Sequence, residues 1–120
     1  MTRALLAIAL ALGGCATATP AVDETGAAKT FALAAYASHE ECRALAAGDR
    51  LDYRFTSTAG LKFDIRYRNG NAVVMPITRD AVYADSGIYQ AATAQHYCLA
   101  WEAGAEAASV ELHLAVHRPR

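Results

Sequence analysis

Long apolar runs are absent from this sequence, which excludes a membrane-spanning helix: the stretch 4–12 falls well short of the ~20 residues that a span needs. A basic excess is absent too. Lys and Arg number 11 against 12 Asp and Glu, giving a formal net charge of −1 and a pI near 6.4. The chain therefore lacks the positive surface that nucleic-acid binding requires. Charged residues make up 19% and are interspersed, unlike the charge blocks of disordered tails. No catalytic constellation is visible either. The serines lack a strand–elbow context, and no His–carboxylate pair has the spacing for acid–base work, so neither an enzyme nor a cofactor is expected. Cysteine is scarce, with 3 residues at Cys15, Cys42 and Cys98.

What is present begins with an address. Arg3 precedes the apolar run 4–12, the length of a signal-peptide core, and Leu12-Gly13-Gly14-Cys15 follows. This tetrad resembles the lipobox of bacterial lipoproteins: an aliphatic residue, two small ones, then cysteine. The resemblance implies a signal peptide over 1–14, a diacylglyceryl group and palmitate at Cys15, and attachment to a membrane through lipid. Several acyl chains anchor stably where one does not. Ordinary secretion is the alternative, because Ala16-Thr17-Ala18 fits a small-x-small cleavage site that would discard Cys15. Ala16 is not the aspartate that retains such proteins at the inner membrane, so the periplasmic face of the outer membrane is the expected berth. Residues 15–29 are small and polar, with Pro20 and Gly26, and read as a flexible tether.

About 90 residues remain for one small domain, 30–118. Its pattern has period two. Leu51, Tyr53 and Phe55 alternate with Asp52, Arg54 and Thr56. Leu61, Phe63, Ile65 and Tyr67 alternate with Lys62, Asp64, Arg66 and Arg68, and Val110, Leu112, Leu114 and Val116 with Glu111, His113, Ala115 and His117. Such alternation predicts strands with one buried face. Segments 30–37, 72–77, 88–94 and 97–102 are weaker strands, and 40–47 would equally permit a helical turn. Segments 50–57 and 61–68 are expected to form a hairpin with Arg54 facing Asp64 and Asp52 facing Arg66, since opposite charges across a pair help. Asn69-Gly70-Asn71 predicts a three-residue turn setting Tyr67, Ile65 and Phe63 opposite Val73, Met75 and Ile77. Asp85-Ser86-Gly87 and Ala103-Gly104-Ala105 mark further turns. The sum is all-β: a small antiparallel β-sandwich of about seven strands.

Once Cys15 is lipidated, Cys42 and Cys98 are left in one small domain, and an oxidising compartment makes a disulfide the simplest outcome. Two alternatives stand beside it. The thiols could stay free, or His39, Cys42, His96 and Cys98 could ligate zinc tetrahedrally. His113 and His117 are too far apart along one strand to share a metal and are read as surface residues.

The run His39-Glu40-Glu41-Cys42, then Ala47-Gly48-Asp49 leading into Leu51-Asp52-Tyr53-Arg54-Phe55, resembles the opening of GOLD-type domains. Leu61-Lys62-Phe63-Asp64-Ile65, Ser86-Gly87-Ile88-Tyr89 and Tyr97-Cys98-Leu99-Ala100-Trp101 extend the similarity over roughly 40–116. The resemblance implies a compact β-sandwich whose early and late cysteines are joined across it. It departs at Trp101-Glu102-Ala103-Gly104, where an asparagine is usual, and the family's trafficking role does not transfer. The expected function is a non-enzymatic binding module, its partner an envelope component. Tyr36, Tyr83, Tyr89, Tyr97 and Trp101 serve either that binding or the core. Ser86-Gly87-Ile88-Tyr89 also resembles a loop of lysozyme-inhibitor lipoproteins, which implies the alternative role of inhibiting a cell-wall-degrading enzyme.

Overall fold

The computed structural model describes residues 28–119. The signal segment, Cys15 and most of the tether lie outside these residues. The described part is all-β, with six antiparallel strands: β1 (Lys29–Leu33), β2 (Ser38–Leu45), β3 (Arg50–Asn69), β4 (Ala72–Gln90), β5 (Gln95–Ala103) and β6 (Ala108–His117). They form one curled sheet in the order β1-β6-β3-β5-β2, with β4 also paired to β3. A sandwich of seven strands is thus replaced by six strands, two of them very long.

β3 is one strand where a hairpin was expected. Leu51, Tyr53, Phe55, Ala59, Leu61, Phe63 and Ile65 are all buried. Odd positions point inward on both sides of residues 57–60, so the chain can run straight through without exposing its apolar set. Its first half pairs with β6 (Tyr53↔Leu114) and its second with β5 (Phe63↔Trp101), while β4 accompanies both. The corner is fixed by hydroxyls. The N–H of Ser109 donates to Thr58 Oγ1 at 2.8 Å, and Ser57 Oγ donates to the carbonyl of Ala59 at 2.7 Å. Arg54 consequently faces His113 and Ser86, and Asp52 faces Ala115 and Ile88. Asp64 instead pairs with Arg66 two residues along the same strand, at 2.7 Å.

β4 absorbs the 72–77 candidate and the first part of the 88–94 candidate, which ends as strand at Gln90, and carries the expected Asp85-Ser86-Gly87 turn as ordinary ladder. The turn at its start has two residues, because Asn69 pairs with Ala72 and Tyr67 with Val74. Gly70, with φ +66°, supplies the left-handed position that this tight turn needs. An irregularity between Ile65 and Tyr67 then sets Ile65 opposite Ile77, where Met75 was the expected partner. Each extra residue on β4 flips the face its side chains occupy, which is why its alternation reads weakly.

The core is aromatic at its centre. Phe55 and Phe63 lie 4.8 Å apart between ring centroids, and Trp101 meets Phe63 at 5.4 Å and Phe55 edge-on at 5.7 Å. Each such pair contributes about 0.5–1.5 kcal/mol beyond area burial. Curling brings the end strands β1 and β2 together through side chains. Phe31 stacks on His39 at 3.9 Å, and Lys29 Nζ donates to Glu41 Oε2 at 2.8 Å. Glu41 is 8% exposed, and His39 Nε2 lies 2.6 Å from the same oxygen. Burial pushes the Glu41 carboxyl up, but the hydrogen bonds from Lys29 and His39 outweigh it and hold the group below its ordinary value.

Candidate functional site

Cys42 and Cys98 are bonded to each other, with Cα atoms 4.0 Å apart. They are register partners on the neighbouring strands β2 and β5, so the bond joins two strands side by side instead of crossing a sandwich. Even-numbered residues of both strands lie on the more exposed face, Ala100 alone among them being buried, and odd-numbered ones face inward. That parity also removes the zinc quartet, since His39 turns inward onto Phe31 while both cysteines lie on the outer face and are oxidised. The aromatics divide in the same way. Tyr97 and Trp101 are buried, Tyr89 packs half-buried on Tyr97 at 5.5 Å, and only Tyr36 and Tyr83 are largely exposed. Ser86-Gly87-Ile88-Tyr89 lies within β4 and is not a loop.

Exposed Tyr36 lines a cleft beside which the Tyr83 ring packs on Gly60. The cleft encloses about 550 Å³ and is lined by Tyr36, Gly60, Lys62, Asp80, Ala81 and Glu102, closed at one end by Ala103 and Gly104. It sits on the outside of the β3 corner. Lys62 and Glu102 are cross-strand partners on β3 and β5, and Asp80 and Ala81 belong to the irregularity where β4 slips against Phe63 and Leu61. The Tyr83 ring lies 3.5 Å from where a Cβ at Gly60 would stand, an ordinary contact distance.

The backbone around this cleft is held in sparsely populated conformations. Tyr36 has φ +62° and Ala81 φ +55°, and they are the non-glycine residues of positive φ among those described. Such a conformation costs about 1–2 kcal/mol for a residue with a Cβ, so surrounding contacts must impose it. At Tyr36 they are visible. Its N–H donates to the carbonyl of Gly104 at 2.8 Å, and the N–H of Ala103 donates to the carbonyl of Ala37 at 2.9 Å. These bonds fasten the β1–β2 turn to the end of β5 and leave the Tyr36 ring 73% exposed.

No family model matches this chain, and no curated protein matches it. Two of the solved structures that share its architecture illustrate the likeness. The Yersinia pseudotuberculosis-derived mitogen superposes with a TM-score of 0.60 at 13% identity, covering 82% of this chain and 91% of that one. Aeromonas hydrophila PliG, a periplasmic lysozyme inhibitor of g-type lysozyme, gives 0.54 at 14% identity over 84% and 90%. The shared property is the fold.

The charges of the cleft differ from those around them. On the adjacent outer face Arg66 binds Asp64 at 2.7 Å and lies 3.8 Å from Glu40. Among the described residues Lys62, Asp80 and Glu102 form no ion pair, although all three line one cavity. A second cleft of about 350 Å³ runs beside the disulfide, between Arg66, Arg68, Val73 and His96. Sequence reasoning singled out Tyr36, Tyr83 and the cysteines but missed Gly60, Lys62, Asp80, Ala81 and Glu102. The available signal was the break in alternation at Arg79-Asp80-Ala81, which marks a bulge.

Proposed function

We propose that this chain is a lipid-anchored binding module of the bacterial envelope, with no chemistry of its own. The observation that carries this reading is the outer cleft, where exposed Tyr36 meets Lys62, Asp80 and Glu102 on a disulfide-joined sheet. Such a surface offers hydrogen bonds and stacking to a ligand. Its lining residues include no serine, cysteine or histidine. The Leu12-Gly13-Gly14-Cys15 tetrad supports attachment through palmitate at Cys15, on the periplasmic face of the outer membrane. The disulfide agrees with export.

A second reading is favoured by one specific observation, the fold shared with a periplasmic inhibitor of g-type lysozyme. In that case the partner is a cell-wall-degrading enzyme and the module protects the wall by blocking it. Two measurements test these readings. Palmitate labelling should mark the wild type and not Cys15→Ser; label in the variant refutes the anchor. Adding the purified chain to a g-type lysozyme acting on wall suspensions should lower lysis in the inhibitor reading, and unchanged lysis at excess protein refutes that reading.

A further inference from the structure

We infer that the cleft at the β3 corner binds a chain of N-acetylated amino sugars, the glycan of the cell wall. This deepens the binding-module reading and rests on it. The lining chemistry selects the ligand. Lys62, Asp80 and Glu102 present one ammonium and two carboxylates, none ion-paired among the described residues. An apolar peptide would strip water from all three charges without replacing their hydrogen bonds, which costs more than it gains. Nucleic acid meets two carboxylates and one lysine, the wrong balance for a phosphate backbone. An acetamido sugar satisfies every group. Its hydroxyls and amide N–H donate to Asp80 and Glu102, and its amide carbonyl or an acidic substituent accepts from Lys62.

The apolar part of the cleft fits the same ligand. One face of a pyranose ring carries only C–H groups, which pack on an aromatic plane. Tyr36 lines the cleft and is 73% exposed, Tyr83 packs beside it on Gly60 and is 60% exposed, and Gly60 and Ala81 keep the lining small. The left-handed φ of Tyr36 has a use in this arrangement. It holds an aromatic ring out in water, where burial cannot repay the strain, and the backbone bonds to 103–104 keep the ring in place before a ligand arrives. A cavity of about 550 Å³ is of the size that takes a small ligand or a short segment of a longer one.

The experiment uses the full chain in detergent micelles, with titrations of N-acetylglucosamine tetramer, cellotetraose and purified wall sacculi. The tetramer should bind saturably, with amide shifts confined to Gly60, Ala81 and Gly104. Cellotetraose, which lacks the acetamido groups, should bind roughly tenfold more weakly or not at all. Glu102→Gln and Lys62→Gln alter exposed side chains and should each weaken tetramer and sacculus binding by roughly tenfold. The near-UV spectrum of buried Trp101 should stay unchanged in both variants. Equal binding of the two sugars, shifts centred on the disulfide-side cleft, or unaltered affinity in both variants would overturn the inference. If no glycan binds but the chain still inhibits lysozyme, the inference fails and the module reading survives. If neither is seen, both fail.

Discussion

Replacing both Cys42 and Cys98 by serine should cost this fold about 4 kcal/mol. The bond closes a loop across a sequence separation of 56. In the chain-entropy account, freeing such a loop returns about 14 cal/mol/K to the unfolded chain, or about 4 kcal/mol at 25 °C. Little is subtracted on the native side. Cys42 is exposed and Cys98 half-buried, so the change opens no core cavity. The register around them is kept by the β2–β5 ladder from Ser38↔Glu102 to Leu45↔Gln95. A domain of this size has roughly 5–10 kcal/mol in all, so the variant should fold with about half its stability. Its Tm should fall by about 15–30 °C. Thermal and urea melts followed by near-UV dichroism are the assay, with reductant-treated wild type as a second route to the same state. A more expanded unfolded chain should also raise the m-value slightly. A Tm drop below about 5 °C would show that the bond is not constraining the unfolded ensemble and would refute the reasoning.

Other expectations follow from individual contacts. A Cβ at Gly87 would lie 3.1 Å from Tyr53 Oη and 3.3 Å from its Cζ, against a ring that is 2% exposed, so Gly87→Ala should cost about 1–3 kcal/mol in denaturant melts; a neutral result would mean the strands can part freely. Glu41→Gln should cost about 1–2 kcal/mol, at the low end for charge-assisted bonds because Lys29 is 55% exposed. The depressed Glu41 carboxyl contributes stability above its ordinary value of 4.5 and loses it as pH falls through the lower folded value. The wild-type and Glu41→Gln acid stability curves should therefore converge below 4.5, and parallel curves would contradict the assignment. Burial first, and then the Asp85 carboxylate and its hydrogen bond, push the Tyr53 hydroxyl up to about 12. Its contribution is complete below 10 and declines as pH rises toward 12. Tyrosinate absorbance should therefore contain a late component that Tyr53→Phe removes.

The sequence by itself determined the fold class and the composition of the core. Alternation along 51–55, 61–65 and 110–116 selects which side chains are buried. Leu51, Tyr53, Phe55, Phe63, Ile65, Leu112 and Leu114 are buried as the pattern predicts, with Tyr67 half-buried. Period two is a local property, written into each segment whatever it pairs with. Two cysteines in one small domain similarly pointed to the bond that forms.

Tertiary structure decided what joins to what. Whether 57–60 turns back or runs on depends on β6 and β5 waiting along the two halves of β3, and on Thr58 receiving the N–H of Ser109. No window of sequence around residue 58 contains those partners. Cross-strand charge matching misled for the same reason, because a surface pair contributes only tenths of a kcal/mol and cannot set a register that the core fixes. The cleft was the least legible feature. Its residues come from the β1–β2 turn, β3, β4 and β5, and only the slip of β4 and the hydrogen bonds fastening Tyr36 to Gly104 bring them to one place. Side-chain type is local, but the meeting of side chains distant in sequence is created by the curl of the sheet.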